Sequence, residues 1–241
     1  KLAAQAGVKK SSIAVLHPGV TLPDTQTAAA AASLLDPVLP RSRRMLLSVG
    51  RLTARKGIAE FIRHCLPQIV AAEPETLLVI VGREATDALR QTEPVMPGIR
   101  QAIAACGLDR HVLLLGSVDD RVLSQAYATS QILVFPVLHS RSDVEGFGMV
   151  AVEAAAHGLP TVGFSVGGVV EAVEDGVSGY LIEPGDYDQF ARRIISLLEK
   201  PQSIPRESCI EFARQFAWPQ FGERLRAICR HHLDYHSSSP G

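Results

Sequence analysis

The chain has 241 residues, 46% of them hydrophobic, which is sufficient for one large domain or for one domain with an extra helical segment. Its 24 basic and 25 acidic side chains give a formal net charge of −1, which argues against electrostatic nucleic-acid binding as the main role, so any anion site must be local. We expect neither a membrane span nor a signal peptide, because no apolar run approaches the roughly 20 residues that a spanning helix needs.

The beginning of the chain predicts three short segments. Residues 1–11 have the pattern of the end of a preceding helix or linker. Residues 12–16 are predicted to form a short strand, closed by a turn that begins at His17. Residues 21–42 carry three prolines and an alanine run, which is typical of a linker or surface excursion with room for one helical turn. Because the first residue is Lys1 and not methionine, we expect the chain to be part of something longer.

A regular alternation of strand and helix patterns begins at Met45 and determines the fold class. Strand-like apolar runs occur at residues 45–49, 77–81, 112–115, 132–135, 161–164 and, more weakly, 180–182. Helical patterns occur at residues 56–72, 98–106, 119–129, 146–157, 167–174 and 186–199. Pro67 is expected to kink or split the first of these helices. The repetition predicts an α/β protein with a Rossmann-like parallel sheet covered by helices on both faces, in which ligands bind at the carboxyl ends of the strands.

The end of the chain completes the predicted organisation. Residues 205–233 predict one or two closing helices, and the tail from His236 to Gly241 is predicted to be disordered. We therefore expect three parts, which are a helix or linker remnant at 1–11, a Rossmann-like domain at 12–204, and closing helices with a disordered tail at 205–241.

The four cysteines lie far apart in the sequence and form no C-x-x-C pair. This spacing favours reduced thiols in a cytoplasmic protein over a disulfide framework or a zinc site. We expect simple packing roles for all of them: Cys65, Cys106, Cys209 and Cys229.

The loop after the first long strand, Gly50-Arg51-Leu52-Thr53-Ala54-Arg55-Lys56-Gly57, contains two glycines and three cations. A diphosphate would fit this loop, because the Arg51 guanidinium can bind two oxygens at once and Lys56 supplies a movable point charge. The charges alone favour the alternative of a solvated basic loop.

A second informative stretch, E-G-F-G-M-V-A-V-E-A-A-A-H-G-L-P, runs from Glu145 to Pro160. It predicts a loop leading into a helix that begins near Gly146, where free amide groups attract anions. Glu145 and Glu153 are eight positions apart, slightly over two helical turns, so we expect their carboxylates to project toward one side. Glu153 lies in an apolar run, where vicinal hydroxyls of a ribose or hexose could satisfy its carboxylate, although an exposed helix glutamate is an equal alternative.

These two motifs carry a resemblance to a known family. The Glu145-to-Glu153 pattern closely resembles the E-x7-E signature of the retaining GT-B glycosyltransferases of family GT4, in their sugar-nucleotide-binding C-terminal domain. The loop at 50–57 resembles the G-R-L-x-x-x-K-G segment of the same enzymes, whose arginine and lysine hold the donor diphosphate. Similar elements follow one another in matching order over residues 12 to about 200. Arg55 falls outside the pattern and is expected to be a surface charge.

The resemblance implies catalytic roles for Arg51, Lys56 and Glu145. The two cations would neutralise charge on the departing nucleotide diphosphate, and Glu145 would approach the transferred sugar. No metal or other cofactor is implied, because cationic side chains and a helix terminus can stabilise the leaving group.

The resemblance also implies a donor-binding set. Glu153 would hold the ribose, and the amides of residues 146–149 would face the sugar and the phosphates. Val118 would present its backbone to the nucleotide base, although an ordinary turn with Asp119 as the N-cap of the next helix is an equal alternative. The full set is Arg51, Lys56, Val118, Glu145, Gly146, Phe147, Gly148, Met149 and Glu153.

Four other polar residues near these motifs are given structural or surface roles. His17, which stands where the family commonly has asparagine, is interpreted as a turn residue. Glu171 is interpreted as a structural or capping residue. His139 and Arg141 are interpreted as surface loop residues, with the alternative that Arg141 reaches a phosphate or sugar and that His139 donates to one.

The resemblance implies the donor-binding domain of a retaining glycosyltransferase that transfers a hexose-type sugar from a nucleotide diphosphate sugar. A saccharide or lipid-linked acceptor would bind an N-terminal domain outside this chain, so we expect the chain alone to bind donor with little transfer. Bacterial surface polysaccharide or lipopolysaccharide assembly is the expected setting, in the cytoplasm or, for the full-length protein, at the inner face of the cytoplasmic membrane.

Two alternatives belong to other functional classes. A non-hydrolysing sugar-nucleotide epimerase shares the two-domain architecture, but the E-x7-E match disfavours it. A non-catalytic nucleotide-sugar-binding or scaffold domain would keep the fold without the chemistry, and the joint presence of Arg51, Lys56, Glu145 and Glu153 disfavours it.

Overall fold

The structure, a computed structural model, describes residues 13–23, 43–84, 94–139 and 145–237, with side chains up to residue 230. The predictions for residues 1–11, for most of the linker at 21–42 and for Arg141 lie outside the described residues.

Six parallel strands form one sheet in the order β3-β2-β1-β4-β5-β6. All six predicted strands are present, and each bound lies within one residue of its predicted position. The strands are β1 (Arg44–Val49), β2 (Thr76–Val81), β3 (Val112–Gly116), β4 (Ile132–Phe135), β5 (Thr161–Phe164) and β6 (Gly179–Ile182).

The expected strand at residues 12–16 is wrong for the part that the structure describes. Residues 13–19 have no strand partner, and Val15 is 71% exposed, so this apolar run is not buried in a sheet. The first pairing along the chain is an isolated bridge between Val20 and Ala217, in which the Val20 amide donates to the carbonyl of Phe216 at 2.8 Å.

Nine α-helices lie within the described ranges. They are α1 (Ile58–His64), α2 (Leu66–Ala72), α3 (Met96–Ala105), α4 (Asp120–Thr129), α5 (Met149–Ala156), α6 (Val169–Ala172), α7 (Tyr187–Glu199), α8 (Arg206–Arg214) and α9 (Trp218–Ser237). Short 3-10 turns occur at Ala54–Lys56 and Pro201–Ser203. None of these helices combines the length and the apolarity that a membrane crossing requires.

Two helix boundaries test the sequence predictions. Pro67 splits the first predicted helix, as expected, because it lies in the first turn of α2, where its missing N–H removes no helical hydrogen bond. The two closing helices are present as α8 and α9. However, α9 continues through His236 to Ser237, so the prediction that these two residues are disordered is wrong.

Both faces of the sheet are covered. Neighbouring residues along β1, which point to opposite faces, are equally buried, as Leu46 and Leu47 show with no exposed surface. The cysteines fit this core only in part. Cys65 and Cys209 are buried, as packing requires, whereas Cys229 is exposed, so the packing role expected for it is wrong.

The strand order fixes where a site can form. The chain builds β1, β2 and β3 outward in one direction, then returns to place β4 beside β1 and continues in the other direction. The loops that follow β1 and β4 therefore leave the sheet side by side at its carboxyl edge. In open parallel sheets, ligands bind at this reversal of strand order.

Candidate functional site

The loops after β1 and β4 are tied to each other at the sheet edge. The amide of Leu138 donates to the carbonyl oxygen of Arg55 at 2.8 Å. Gly57 has φ +68°, and a Cβ atom there would lie 2.1 Å from the carbonyl oxygen of Pro136, so only glycine allows this approach. Two segments about 80 residues apart in the chain are thereby held in contact.

Three charged side chains converge on these loops, and we call Arg55, Lys56 and Glu145 the switch-point cluster. Lys56 Nζ donates to Glu145 Oε2 at 2.8 Å, and Arg55 donates to the same oxygen. The three side chains are only 11–14% exposed. The expectation that Arg55 is a surface charge is therefore wrong, because the 3-10 turn before Gly57 directs it to Glu145.

Burial and charge act in opposite directions on the acid of this cluster. Burial alone would raise the pKa of Glu145, but its hydrogen bonds and ion pairs with Lys56 and Arg55 outweigh burial and hold that pKa below its usual range. Burial lowers the pKa of Lys56, and the nearby charges of Arg55 and Arg51 add to this effect against the favourable pairing with Glu145. Because two cations share one carboxylate, the cluster keeps an excess of positive charge.

Arg51 lies at the same edge of the sheet but is exposed. It lines a small cleft together with Gly50, Lys56 and Phe135, whose ring centroid is 4.8 Å from Lys56 Nζ. The structure thus brings the two predicted diphosphate ligands, Arg51 and Lys56, together with Glu145. The alternative of a fully solvated basic loop does not describe Lys56.

The helix after Glu145 begins later than predicted. Its first residue is Met149, and its N-cap is Gly148, which has φ +82° and packs against the Phe135 ring. Gly146 and Phe147 belong to the preceding loop, which is fixed because the amide of Gly168 donates to the carbonyl oxygen of Glu145 at 2.9 Å. Glu145 is therefore not on the helix, and the expectation that helical spacing aligns it with Glu153 is wrong.

A second polar group lies along α5, and we call Ser124, Tyr127, Glu153 and His157 the cavity wall. Tyr127 donates its hydroxyl to Glu153 Oε2 at 2.8 Å. His157 Nδ1 donates to the carbonyl oxygen of Glu153 at 2.8 Å, so its Nε2 accepts from the Ser124 hydroxyl, also at 2.8 Å. The Tyr127 and His157 rings stack with their centroids 5.0 Å apart.

The aromatic side chains of the cavity wall are kept neutral. Burial, followed by the charge and hydrogen bond of Glu153, raises the pKa of Tyr127 well above its ordinary value. Burial also lowers the pKa of His157, despite its bond to the Glu153 carbonyl. Glu153 itself is half-buried and accepts a hydrogen bond from the neutral Tyr127. The alternative of an exposed helix glutamate therefore does not describe it.

The cavity beside this wall has a volume of about 780 Å³. It is bounded by α4, by α5 from Met149 onward, by Gly19 and its neighbours, and by Trp218 at the start of α9. In the described parts of the chain, its lining does not include Arg51, Lys56 or Glu145. The predicted site residues thus fall into two groups, one before the first turn of α5 and one along its side.

Val118 is half-buried in the turn after β3 and packs against the core. The next residue, Asp119, accepts a hydrogen bond from the amide of Val122 at 2.8 Å, so its predicted role as the N-cap of α4 is confirmed. The role of the Val118 backbone in base recognition stays a prediction.

Sequence reasoning missed the surroundings of His17. Its ring stacks on Phe147 with centroids 4.2 Å apart, and its Nε2 atom lies 2.6 Å from Glu171 Oε2. His17 therefore does more than form a turn, since it connects the loop before α5 with α6. No spacing signal links positions 17, 147 and 171.

Among the residues that the structure describes, no group of three or more His, Cys, Asp and Glu side chains is placed to hold a metal ion. The expectation that no metal is needed stays a prediction.

Comparison with known proteins identifies a family for most of the chain. Residues 36–216 match the family model of Glycosyl transferases group 1. A relative named D-inositol 3-phosphate glycosyltransferase 2, from Catenulispora acidiphila, is 31% identical over 221 residues, which cover 88% of this chain and 49% of the relative. The chain spans about half the length of the curated relatives it matches.

Solved structures show the same fold. Anabaena Alr3699/HepE, solved in complex with UDP, superposes with a TM-score of 0.77 at 22% identity, covering 95% of this chain and 60% of that one. The C-terminal domain of the group 1 glycosyl transferase LpcC from Francisella tularensis gives a TM-score of 0.62 at 22% identity, covering 83% of this chain and 95% of that one. The predicted half of a GT-B fold is confirmed, and the epimerase alternative receives no support. The chain belongs to the family of group 1 glycosyl transferases.

Proposed function

We propose that this chain is the donor-binding domain of a retaining glycosyltransferase that transfers a hexose-type sugar from a nucleotide diphosphate sugar. The observation that carries the proposal is the meeting of Lys56 and Glu145 at the reversal of strand order, with 2.8 Å between Nζ and Oε2. A cation for the phosphates and an acid for the sugar thus lie just before the first turn of α5. Similar structures solved with UDP and with UDP-glucose support this choice of ligand class.

The two groups of residues suggest how the donor lies along α5. Lys56 and Arg51 bind the diphosphate, whose charge is also stabilised by the free amides of residues 146–149 at the helix N-terminus. The sugar extends from there to Glu145. The nucleoside extends the other way into the cavity of about 780 Å³, which falls within the usual range for small-molecule sites.

Glu153 supplies the proposed ribose contact. A carboxylate can accept hydrogen bonds from two vicinal hydroxyls, and the bond from Tyr127 at Oε2 fixes its orientation. The neutral Tyr127 and His157 beside the Glu153 carboxylate make this part of the site suitable for hydroxyl groups.

In the reaction, the bond between the anomeric carbon of the sugar and the diphosphate oxygen breaks, and negative charge develops on the departing nucleotide. A hydroxyl oxygen of the acceptor forms the new bond to that carbon, and the hydroxyl proton leaves with the nucleotide diphosphate or to solvent. Lys56, Arg51 and the helix N-terminus stabilise that charge without a metal ion. Glu145 lies beside the transferred sugar, where its carboxylate orients the hydroxyls. The acceptor, a saccharide or a lipid-linked sugar, binds elsewhere in the full-length protein.

We propose surface polysaccharide or lipopolysaccharide assembly in a bacterium as the biological setting. The protein would then act in the cytoplasm or at the inner face of the cytoplasmic membrane. The family resemblance supports this setting.

Isothermal titration of the chain with UDP, GDP, ADP and their hexose conjugates tests the donor-binding proposal. We expect saturable binding of at least one nucleotide and its sugar conjugate, and weaker binding by Glu153→Gln. Glu199→Gln, a change at an exposed glutamate that ends α7, serves as the matched control and is expected to bind as the wild type does. A folded chain that binds none of these ligands would refute the proposal.

The same titration tests the alternative of a non-catalytic domain. If Glu153→Ala bound nucleotide sugars as tightly as the wild type, a domain that keeps the fold without the chemistry would be favoured. We expect the affinity to fall instead.

A further inference from the structure

We infer that Arg55 is a positioning residue that keeps Glu145 ionised and in place when the donor diphosphate engages Lys56. The inference rests on the proposed function, and it assigns a role to a residue that lies outside the family motif. It is drawn from the contact of Arg55 with Glu145, and from the fact that Glu145 and a bound diphosphate would both attract Lys56.

Arg55 is held at both its backbone and its side chain. Its carbonyl oxygen accepts from the amide of Leu138 at 2.8 Å, and its guanidinium donates to Glu145 Oε2 with 11% of the side chain exposed. Lys56 shares the same oxygen. Within the described part of the chain, Glu145 therefore has two cationic partners.

A bound diphosphate changes this balance. Its oxygens attract Lys56, whose flexible stem allows the ammonium group to turn from Glu145 toward the phosphates. If Lys56 were the one cation paired with Glu145, its departure would leave a buried carboxylate uncompensated, which is strongly disfavoured. Arg55 prevents this, because a guanidinium remains charged at all accessible pH values and stays on Glu145 when Lys56 leaves.

The arrangement predicts which ligands depend on Arg55. A free nucleotide contacts Lys56 but has no sugar for Glu145 to orient. A nucleotide sugar makes both contacts. Loss of Arg55 is therefore expected to weaken the binding of the nucleotide sugar more than the binding of its parent nucleotide. The ratio of the two affinities should fall.

The test compares Arg55→Gln, Arg55→Lys and wild type by isothermal titration. The probes are the pairs UDP with UDP-glucose, GDP with GDP-mannose, and ADP with ADP-glucose, and the pair that binds the wild type is carried forward. We expect Arg55→Gln to lower the affinity ratio of nucleotide sugar to nucleotide about tenfold, and Arg55→Lys to restore part of it because it returns the charge. Arg214→Gln, a change at an exposed arginine paired with Glu211, is the matched control and should leave the ratio unchanged.

An unchanged ratio in a folded Arg55→Gln variant would overturn the inference while leaving the proposed function intact. Binding of no pair by the wild type would instead count against the proposed function. The two failures are therefore distinguishable.

A second measurement covers the case in which Arg55→Gln does not fold. The Glu145 carboxyl of the wild-type chain is titrated by carbon-detected NMR with and without the bound nucleotide. Among the residues that the structure describes, the other charged groups nearby are Lys56 and Arg51 on the β1 loop, and the His17 and Glu171 pair on the far side of Phe147. We expect Glu145 to stay ionised at neutral pH after nucleotide binding, and protonation of Glu145 on binding would overturn the inference.

Discussion

The two acids of the candidate site are held in opposite ways. Glu145 is bound by two cations, Lys56 and Arg55, at the end of the sheet, whereas Glu153 is bound by the neutral hydroxyl of Tyr127 on the side of α5. The switch-point cluster holds two cations against one carboxylate, and the cavity wall offers uncharged hydrogen-bonding groups beside a carboxylate. Under the proposed function, this difference assigns charge neutralisation to the loops before α5 and hydroxyl recognition to the side of α5.

The two regions also differ in how the fold builds them. The switch-point cluster is assembled from the loops after β1 and β4, whose close approach depends on Gly57 against Pro136. The loop after β2 also packs closely on the β1 loop, where Gly82 lies against Gly50. The cavity wall lies on two helices, α4 and α5, whose positions are set by side-chain packing. We therefore expect replacement of these glycines to disturb the switch-point cluster. Replacement of a single side chain should affect only the region to which that side chain belongs.

Removal of the cation that links the two loops should have the largest effect. Under the proposed function, Lys56→Ala takes away a charged hydrogen bond to the diphosphate, of a kind worth about 1.5–3 kcal/mol, so donor affinity should fall roughly tenfold to a hundredfold. The fold should survive, because Glu145 keeps its ion pair with Arg55. Isothermal titration measures the affinity, and thermal unfolding checks that the variant is folded.

Lys200→Ala is the matched control for this change, since Lys200 is an exposed lysine at the end of α7. Equal affinities of Lys56→Ala, Lys200→Ala and wild type for nucleotides would contradict the assignment of charge neutralisation to the switch-point cluster.

Replacement of a glycine beside the switch-point cluster should have the next largest effect. Gly82 has φ +139°, and a Cβ atom there would lie 1.9 Å from the carbonyl oxygen of Gly50, which starts the loop that carries Lys56. Gly82→Ala should therefore lower the free energy of unfolding by about 1–3 kcal/mol, from backbone strain and the forced displacement of Gly50. Urea denaturation measures the loss.

Gly176→Ala gives the comparison, because Gly176 also has positive φ, +77°, but a Cβ atom there meets no atom within 4 Å. Its positive φ also costs an alanine some strain, but without a collision and nearer to the left-handed helical region, so its loss should be smaller. If both variants lost the same stability, contact with Gly50 would not be what restricts position 82.

The sequence was sufficient to predict the sheet, because its strands are local signals. Short apolar runs mark all six strands, and Asp119 marks the beginning of α4 through a cap that forms within four residues. The order of strand and helix then places the loops after β1 and β4 at the ligand-binding edge. For the same reason, Lys56 and Glu145 could be predicted as neighbours.

The rest could not be predicted, because it depends on contacts between distant parts of the chain. Arg55 is not a surface charge, since Glu145, 90 positions away, lies where the 3-10 turn directs it. The start of α5 at Met149 follows from Gly148, which adopts positive φ against the ring of Phe135. Tyr127 reaches Glu153 from another helix, and no periodicity within α5 indicates that contact.

The smallest expected effect tests the neutral half of the comparison. Tyr127→Phe removes the hydroxyl that donates to Glu153 Oε2, and one hydrogen bond of this kind contributes about 0.5–1.5 kcal/mol. The ring and its stacking on His157 remain, so the fold should be kept. We expect the affinities for nucleotide and for nucleotide sugar to fall by the same factor, about two- to tenfold, because both ligands contain the ribose.

Tyr180→Phe is the matched control for this variant, since the Tyr180 ring packs against Arg193 with 4.0 Å between the guanidinium carbon and the ring centroid, on the last strand of the sheet. It keeps that ring and should bind both ligands as the wild type does. A change in the ratio of the two affinities in Tyr127→Phe would mean that the cavity wall also senses the sugar. The separation of charge and hydroxyl recognition along α5 would then be wrong, because a group that contacts only ribose cannot distinguish two ligands that share it.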